Sequence, residues 1–195
     1  MAFDKAYYDR YYRDPRTAVT SRAEMALRAR MIAAAADYID LPVRSVLDAG
    51  CGMGLMRRPL LRALPRATYT GLEVSDYLCD RFGWEQGKLQ NWRAPRRQRF
   101  DLVICYDVLQ YLQREPARKA IANIGKLCRG LLYCSALTRE DWDNNCDQRR
   151  TDKVPGIRSA AWYRRELRRR FVPLGCSLWL HRDAPVVTWE MDRAA

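Results

Sequence analysis

Two spacings of apolar residues follow one another along the chain. Residues 17–39 carry Met25, Leu27, Met31 and Ile32 near the 3.6-residue period of a helix, which Leu41-Pro42 ends. Short apolar runs at 45–48, 68–73, 100–106 and 130–136 then alternate with helix-length segments at 55–64, 76–82 and 115–127, and a weak strand is expected near 84–86. This alternation predicts βαβ units and a mostly parallel sheet.

The two ends of the chain depart from this alternation. Residues 3–13 predict a short helix with four tyrosines, so that 1–40 would form an N-terminal helical cap. The polar segment 139–158 is longer than a usual connection and predicts a functional loop. A helix at 162–171 precedes strands at 176–181 and 185–191, which the short connection between them makes antiparallel neighbours. We therefore predict one α/β domain over 1–195, with a doubly wound seven-stranded sheet closed by a strand pair at 176–191.

The composition disfavours a membrane-spanning, a secreted and a zinc-binding protein. No stretch approaches the roughly 20 apolar residues that span a bilayer, and the polar N-terminus does not resemble a signal peptide. The seven cysteines form no CxxC pair and His181 is the single histidine, which disfavours a zinc site. We expect a cytoplasmic protein with reduced thiols, no metal and no membrane partner.

The net charge of +12 leaves two interpretations open. Such a field attracts nucleic acid or acidic substrates, and 161–170 holds a local arginine cluster. The same cluster is compatible with a solvated helix face.

The loop after the first predicted strand contains the main candidate chemistry. Residues 46–54 read VLDAGCGMG, with glycines at 50, 52 and 54 rather than the GxGxxG spacing of a dinucleotide site. Asp48 would repel a pyrophosphate but would attract a cofactor that carries an ammonium and a sulfonium. Glu73, at the end of the next strand, is placed to accept hydrogen bonds from both ribose hydroxyls.

These segments resemble class I S-adenosylmethionine-dependent methyltransferases. VLDAGCGMG is similar to the first motif of that family, TGLEVS to its second, and FDLVICYDVLQYL to the segment that ends the fourth strand. The resemblance covers about 45–136. It implies a Rossmann-like fold, S-adenosylmethionine as cofactor, and methyl transfer by in-line displacement, with catalysis mainly by positioning.

The resemblance also implies roles for individual residues. It implies that Asp48, Gly50, Cys51 and Gly52 contact the methionine end of the cofactor, and that Glu73 and Val74 contact the ribose. Lys88 and Leu89 would lie near the adenine, and Tyr106 or Asp107 beside the sulfonium. Many members have Gly-Asp where this chain has Gly87-Lys88, so backbone groups there would take over the adenine contact. Alternatively, Asp48 caps or orders its loop, Glu73 is a solvated acid, and Asp107 caps a short turn.

The acceptor side is predicted from what surrounds the sulfonium. The tyrosines at 7, 8, 11 and 12 would form a lid, or two of them would pack against the long helix. Candidate substrate-binding residues are Tyr8, Tyr111, Asp141, Trp142 and Asn145, and candidate catalytic residues are Asp107, Tyr11 and His181. His181 is expected to end an edge strand on the cofactor side of the sheet.

These residues favour a small-molecule acceptor with an oxygen or nitrogen nucleophile. The alternatives are an RNA or other nucleic-acid methyltransferase, an enzyme that uses the sulfonium for other chemistry, and a binding module without turnover. The oligomeric state stays open.

Overall fold

The N-terminal segment forms two helices in a computed structural model that describes residues 3–14, 16–148, 151 and 156–187. Helix α1 (Lys5–Tyr8) continues into a π-helical turn at Asp9–Arg13, and α2 spans Arg22–Tyr38. A capping box begins α2: Ser21 Oγ accepts the Glu24 N–H at 3.1 Å, and Glu24 Oε2 accepts the Ser21 N–H at 2.8 Å. Because this cap fixes the first turn, the helix begins later than its apolar pattern predicts.

Alternating strands and helices make up the rest of the chain. They are β1 (Ser45–Ala49), α3 (Arg57–Ala63), β2 (Thr68–Glu73), α4 (Asp76–Phe82), β3 (Glu85–Gln86), β4 (Phe100–Tyr106), α5 (Arg114–Leu127), β5 (Cys128–Ser135), α6 (Arg139–Asn144), α7 (Ala160–Leu167), β6 (Phe171–Gly175) and β7 (Leu178–His181). Within the described residues the sheet order is β3-β2-β1-β4-β5-β7-β6. The first five strands are parallel, and β7 is antiparallel to both β5 and β6. The predicted seven-stranded, mostly parallel sheet with a C-terminal antiparallel pair is confirmed.

Strand β1 lies inside the sheet between β2 and β4, and all five of its residues are buried. One core layer packs α2 and α3 on the sheet through side chains such as Ile32 and Leu60, and the other packs α5 and α7 through Ile121 and Leu167. The chain winds outward in one direction from β1 to β2 and in the other from β1 to β4. Ligands of such sheets bind at the carboxyl ends of the strands, beside this reversal.

The two strands of the closing hairpin begin five and seven residues earlier than predicted. Strands β6 and β7 pair across a two-residue turn in which Cys176 (φ 47°) and Ser177 (φ 63°) are both left-handed, the conformation that matches the twist of a tight hairpin. Strand β7 lies within the predicted strand 176–181, but its hairpin partner is β6, which precedes it, rather than the predicted strand at 185–191. Residues 185–187 are not in a strand, and 188–191 lie outside the described residues. The preceding helix ends at Leu167 rather than at 171.

His181 is also displaced from its predicted location. Strand β7 lies between β5 and β6, and Leu180 pairs with Leu131, so His181 stands at the amino end of β5 and away from the cofactor edge. Its Nδ1 accepts the Asp183 N–H at 3.1 Å, which leaves Nε2 to donate to the Gly125 carbonyl at 3.1 Å. Burial lowers the pKa of this imidazole. The predicted catalytic role is corrected to a structural one, because the antiparallel strand reverses the chain direction.

All seven cysteines are free thiols, five of them buried. Across the described ranges, no group of three His, Cys, Asp or Glu side chains is placed to hold a metal ion. Nor is any helix there long and apolar enough to cross a membrane.

Candidate cofactor and acceptor site

Three neighbouring cavities open at the carboxyl edge of the sheet. The main cleft, of about 370 Å³, is lined by parts of 3–12, 50–52, 72–74, 87–90 and 106–116. The small pocket, of about 60 Å³, lies between the glycine loop and the start of α2 and includes Asp48 and Cys51. The outer cavity, of about 860 Å³, lies between 18–28 and 137–151. Tyr106, at the end of β4, lines all three and therefore marks their junction.

The glycines of the loop differ in what surrounds them. Gly50 has φ +79°, and a Cβ there would lie 2.3 Å from Val108 Cγ2, so close packing requires a glycine. Gly52 has φ +51°, and a Cβ there would meet nothing within 4 Å. Because Gly52 lines both the main cleft and the small pocket, its missing side chain leaves room for a ligand rather than for the protein.

Trp84 supports the back of this loop. Its Nε1 donates to the Gly52 carbonyl at 3.0 Å. A Cβ on Gly54 or on Gly71 would lie 2.7 Å from the indole ring, so both positions need a glycine. Sequence reasoning took this residue only as the start of a weak strand. The signal that could have found it is Gly71, because a glycine inside a buried strand indicates a close neighbour.

Glu73 connects the glycine loop to the end of β2. Its Oε2 accepts the Gly52 N–H at 2.9 Å, and its Oε1 accepts the N–H groups of Val74 at 2.7 Å and Ser75 at 3.0 Å. The residue is 5% exposed but lines the main cleft, so the alternative of a solvated acid was wrong. A carboxylate offers about four acceptor positions, and these three bonds leave capacity for a ligand hydroxyl.

Asp48 lies behind the loop and lines the small pocket rather than the main cleft. Its Oδ2 accepts a hydrogen bond from the Tyr69 hydroxyl at 2.6 Å. Burial raises the pKa of Asp48 from 3.8 to about 6, although the Tyr69 bond opposes that rise. The Asp48 carboxyl therefore lies at the small pocket, which Gly50 and Gly52 separate from the main cleft by lining both.

Because Asp48 is buried, we expect its ionisation to lower the stability of the folded protein, by an amount that depends on pH. The folded protein binds the proton more tightly than the unfolded chain, so the free energy of unfolding falls as pH rises from about 4 to about 6. Relative to the wild type, Asp48→Asn should gain about 2 kcal/mol of stability between pH 4 and pH 7. Urea unfolding at both pH values measures this gain, with the exposed Asp37→Asn as control. A difference independent of pH would contradict the assignment.

The segment 87–92 forms the wall opposite the glycine loop. Lys88 is exposed and Leu89 is buried, and both line the main cleft. Asn123 Nδ2 donates to the carbonyls of Leu89 and Trp92, each at 2.8 Å, while the Gly87 N–H donates to the Glu73 carbonyl. This segment of the cleft lining is thus held in place by hydrogen bonds from a backbone N–H and from a side-chain amide.

The N-terminal tyrosines form one side of the main cleft. Tyr8 and Tyr12, one helical turn apart, line it together with Tyr7, and burial raises the pKa of Tyr8. Tyr11 packs on the Tyr7 ring, with centroids 4.9 Å apart, and lines none of the three cavities. The predicted catalytic placement of Tyr11 is corrected accordingly, because its neighbours on the helix occupy the cleft-facing side. Tyr111 lines the cleft, and its hydroxyl lies 3.3 Å from that of Tyr7.

Asp107 occupies the junction of the main cleft and the small pocket. It is a non-glycine residue at φ +55°, and its Oδ1 accepts a bond from Gln110 Nε2 at 3.3 Å. The short turn that follows begins at Val108 without a side-chain cap, so the turn-cap alternative was wrong. Residues in such unfavourable backbone conformations are concentrated at functional sites.

Helix α6 brings part of the predicted acceptor loop to the outer cavity. Asp141 and Asn145 line this cavity, one turn apart on the helix. Trp142 lines none of the three cavities, because the next position on the helix faces away from them. Its predicted substrate contact is corrected on that ground.

The lining of the main cleft suits a cation better than an anion. Its charged side chains are Glu73, Asp107 and Lys88, two carboxylates against one ammonium. Five tyrosines also line it, and an aromatic face attracts a sulfonium or an ammonium. These groups, with the open space at Gly52, fit an adenosyl cofactor that carries positive charge and disfavour a pyrophosphate.

Comparisons with known proteins agree with this geometry. Residues 47–130 match a family described as a methyltransferase domain. The trans-aconitate 2-methyltransferase of Pseudomonas paraeruginosa (strain DSM 24068 / PA7) is 28% identical over 147 residues, which are 71% of this chain and 46% of that protein. The chain thus spans less than half the length of this curated relative.

Two solved structures share the fold. Magnesium protoporphyrin IX methyltransferase from Synechocystis PCC 6803, with SAH bound, superposes with a TM-score of 0.60 at 19% identity over 92% of this chain and 94% of that one. An O-methyltransferase family protein from Burkholderia thailandensis gives a TM-score of 0.59 at 14% identity, covering 84% and 59%.

Proposed function

We propose that the chain binds S-adenosylmethionine in the main cleft and methylates a small acceptor, as a class I S-adenosylmethionine-dependent methyltransferase; the match of residues 47–130 to a methyltransferase domain supports this proposal. One observation carries the proposal: the glycine loop after β1 and the Glu73 carboxylate after β2 line a single cleft and are hydrogen-bonded to each other. A cytoplasmic location remains a prediction from the sequence.

In this proposal, each cavity binds a different part of the cofactor or the acceptor. Glu73 would hold the ribose, with Val74 beside it, while Lys88 and Leu89 border the adenine. The small pocket, with Asp48, Gly50, Cys51 and Gly52, would take the amino-acid end. When bound, S-adenosylmethionine supplies a methyl group activated by a sulfonium. The tyrosine lid and Tyr106 would orient the reacting groups and exclude water.

Catalysis in this arrangement depends chiefly on positioning. Asp107 is the carboxylate at the junction of the main cleft and the small pocket, beside Tyr106. It would accept the proton of an acceptor hydroxyl or ammonium where the nucleophile arrives protonated. The outer cavity, which Asp141 and Asn145 line, would receive the acceptor.

A small acceptor is favoured over nucleic acid by the location of the arginine cluster. The arginines at 164–170 lie in the second half of α7 and directly after it and line none of the three cavities, and Arg169 pairs with Glu166 at 3.3 Å. The curated relative, a trans-aconitate 2-methyltransferase, points to the same class of acceptor. Chemistry of the sulfonium other than methyl transfer is the remaining alternative.

The test follows the labelled methyl group of S-adenosylmethionine. The protein is incubated with a bacterial metabolite extract or with total RNA, and label is counted in small molecules and in polymer. We expect label in the small-molecule fraction. Label confined to RNA would overturn the small-molecule acceptor, and release of other labelled fragments would support the alternative chemistry.

Neutralising Arg168, Arg169 and Arg170 to glutamine should leave small-molecule methylation within about twofold of the wild type, because surface substitutions far from a site have small effects. The control replaces three exposed arginines, those at 58 and 62 on α3 and the one at 66 shortly after it, which removes the same charge elsewhere. Thermal unfolding confirms that both triple variants fold. A large loss of small-molecule methylation in the first variant alone would mean that the arginine cluster takes part in the reaction and would contradict this prediction.

A further inference from the structure

Arg28 lies in the outer cavity, at the end of the second turn of α2. Its guanidinium carbon is 4.6 Å from the centroid of the Tyr106 ring. Tyr106 in turn stacks on Tyr133, with centroids 6.3 Å apart, and the Tyr133 hydroxyl interacts with the same guanidinium. An arginine that rests on an aromatic platform keeps its in-plane N–H groups available for a planar anion.

Arg28 takes part in no ion pair among the residues that the structure describes. Two of the carboxylates that line the same cavity form hydrogen bonds at the N-terminal ends of their own helices. Glu24 accepts the Ser21 N–H at 2.8 Å, and Asp141 accepts the Thr138 hydroxyl at 2.6 Å and Asn145 Nδ2 at 3.1 Å. The third acid of the cavity, Asp147, is exposed at its rim. Among the described residues, Arg28 is therefore a cation with no carboxylate in ion-pair contact, although the charge of Glu24, one turn earlier on α2, acts on it.

Arg28 lies next to the point where the outer cavity meets the main cleft, because it contacts Tyr106. Tyr106, on which the guanidinium rests, also lines the main cleft and the small pocket, whereas Arg28 lines only the outer cavity. An anion held by Arg28 would thus lie on the acceptor side of Tyr106. A group with a single charge suits the site better than a phosphate dianion, because Glu24, Asp141 and Asp147 would repel the second charge.

We propose that the acceptor carries a carboxylate and that Arg28 binds it in the outer cavity, with two parallel N–H···O bonds that orient the nucleophile toward the main cleft. This inference rests on the proposed function, since it gives that site its substrate class. Arg28 is a substrate-binding residue in this assignment and has no contact with the cofactor.

Calorimetry on protein saturated with S-adenosylhomocysteine tests the inference. The probes are succinate, tricarballylate and benzoate, each compared with its neutral amide, together with methyl phosphate. We expect at least one carboxylate to bind about tenfold or more tightly than its amide and than methyl phosphate. Arg28→Gln should remove that preference, Arg28→Lys should retain part of it, and the exposed Arg30→Gln, on the same helix, should leave it unchanged.

The outcomes separate this inference from the proposed function. Failure of the wild type to bind S-adenosylhomocysteine would overturn the proposed function itself. With that ligand bound, three results would overturn the inference alone: no carboxylate preferred to its amide, a preference that survives Arg28→Gln, or tighter binding of methyl phosphate. A tenfold loss of S-adenosylhomocysteine affinity in both Arg28 variants would place Arg28 in the cofactor site instead and would likewise overturn it.

Discussion

Glu73→Gln should lower the affinity for S-adenosylhomocysteine about 100-fold, because hydrogen bonds to a charged group contribute about 1.5–3 kcal/mol each and the ribose would lose its ionised acceptor. In the wild type, Glu73 accepts hydrogen bonds from the backbone N–H groups of Gly52, Val74 and Ser75. In the variant, the NH₂ group of the glutamine amide would face some of these donors and could not accept their hydrogen bonds. Calorimetric titration measures the affinity.

The matched control for this variant is Glu85→Gln, which removes the same charge from the exposed edge strand β3. Urea unfolding of both variants separates a loss of binding from a loss of fold. An unchanged affinity in folded Glu73→Gln would remove Glu73 from the cofactor site.

Gly50→Ala and Gly52→Ala should separate folding from binding. At Gly50 a Cβ would lie 2.3 Å from Val108 Cγ2, so we expect a loss of about 2–5 kcal/mol of stability from backbone strain and overpacking together. At Gly52 the strain alone costs about 1–2 kcal/mol, but the new methyl group would occupy the ligand's space and should weaken S-adenosylhomocysteine binding at least about tenfold.

Chemical unfolding and calorimetry of the two variants provide the comparison. Adding Val108→Ala to Gly50→Ala should restore part of the lost stability, because it removes the atoms that the new Cβ would meet. Unchanged S-adenosylhomocysteine affinity in folded Gly52→Ala would mean that Gly52 does not border the ligand space.

The parallel core of the sheet was predictable from the sequence, because each of its strands is a short apolar run followed by a helix. The same holds for Glu73, which stands at the carboxyl end of its strand, where the sheet geometry brings it beside the glycine loop. Local pattern and global topology agree in this region.

The hairpin was not predictable by the same route. Its turn uses Cys176 and Ser177 in the left-handed conformation, for which glycine and asparagine are the usual signals. The error carried over to His181, because strand direction decides which edge of the sheet a strand end reaches.

Trp84 and Arg28 show a different limit. Each acts through a contact with a residue distant along the chain, Trp84 with Gly52 and Gly54, Arg28 with Tyr106. Helical or strand periodicity describes one element at a time. Such pairings emerge only when the elements are packed.

Calorimetric titration of the wild-type protein with S-adenosylhomocysteine and, in parallel, with NAD tests the central claim most directly. The claim predicts saturable binding of one S-adenosylhomocysteine per chain and no heat from NAD, because two carboxylates and five tyrosines line the main cleft. Saturable binding of NAD without binding of S-adenosylhomocysteine would contradict the claim and would make the glycine loop a dinucleotide site.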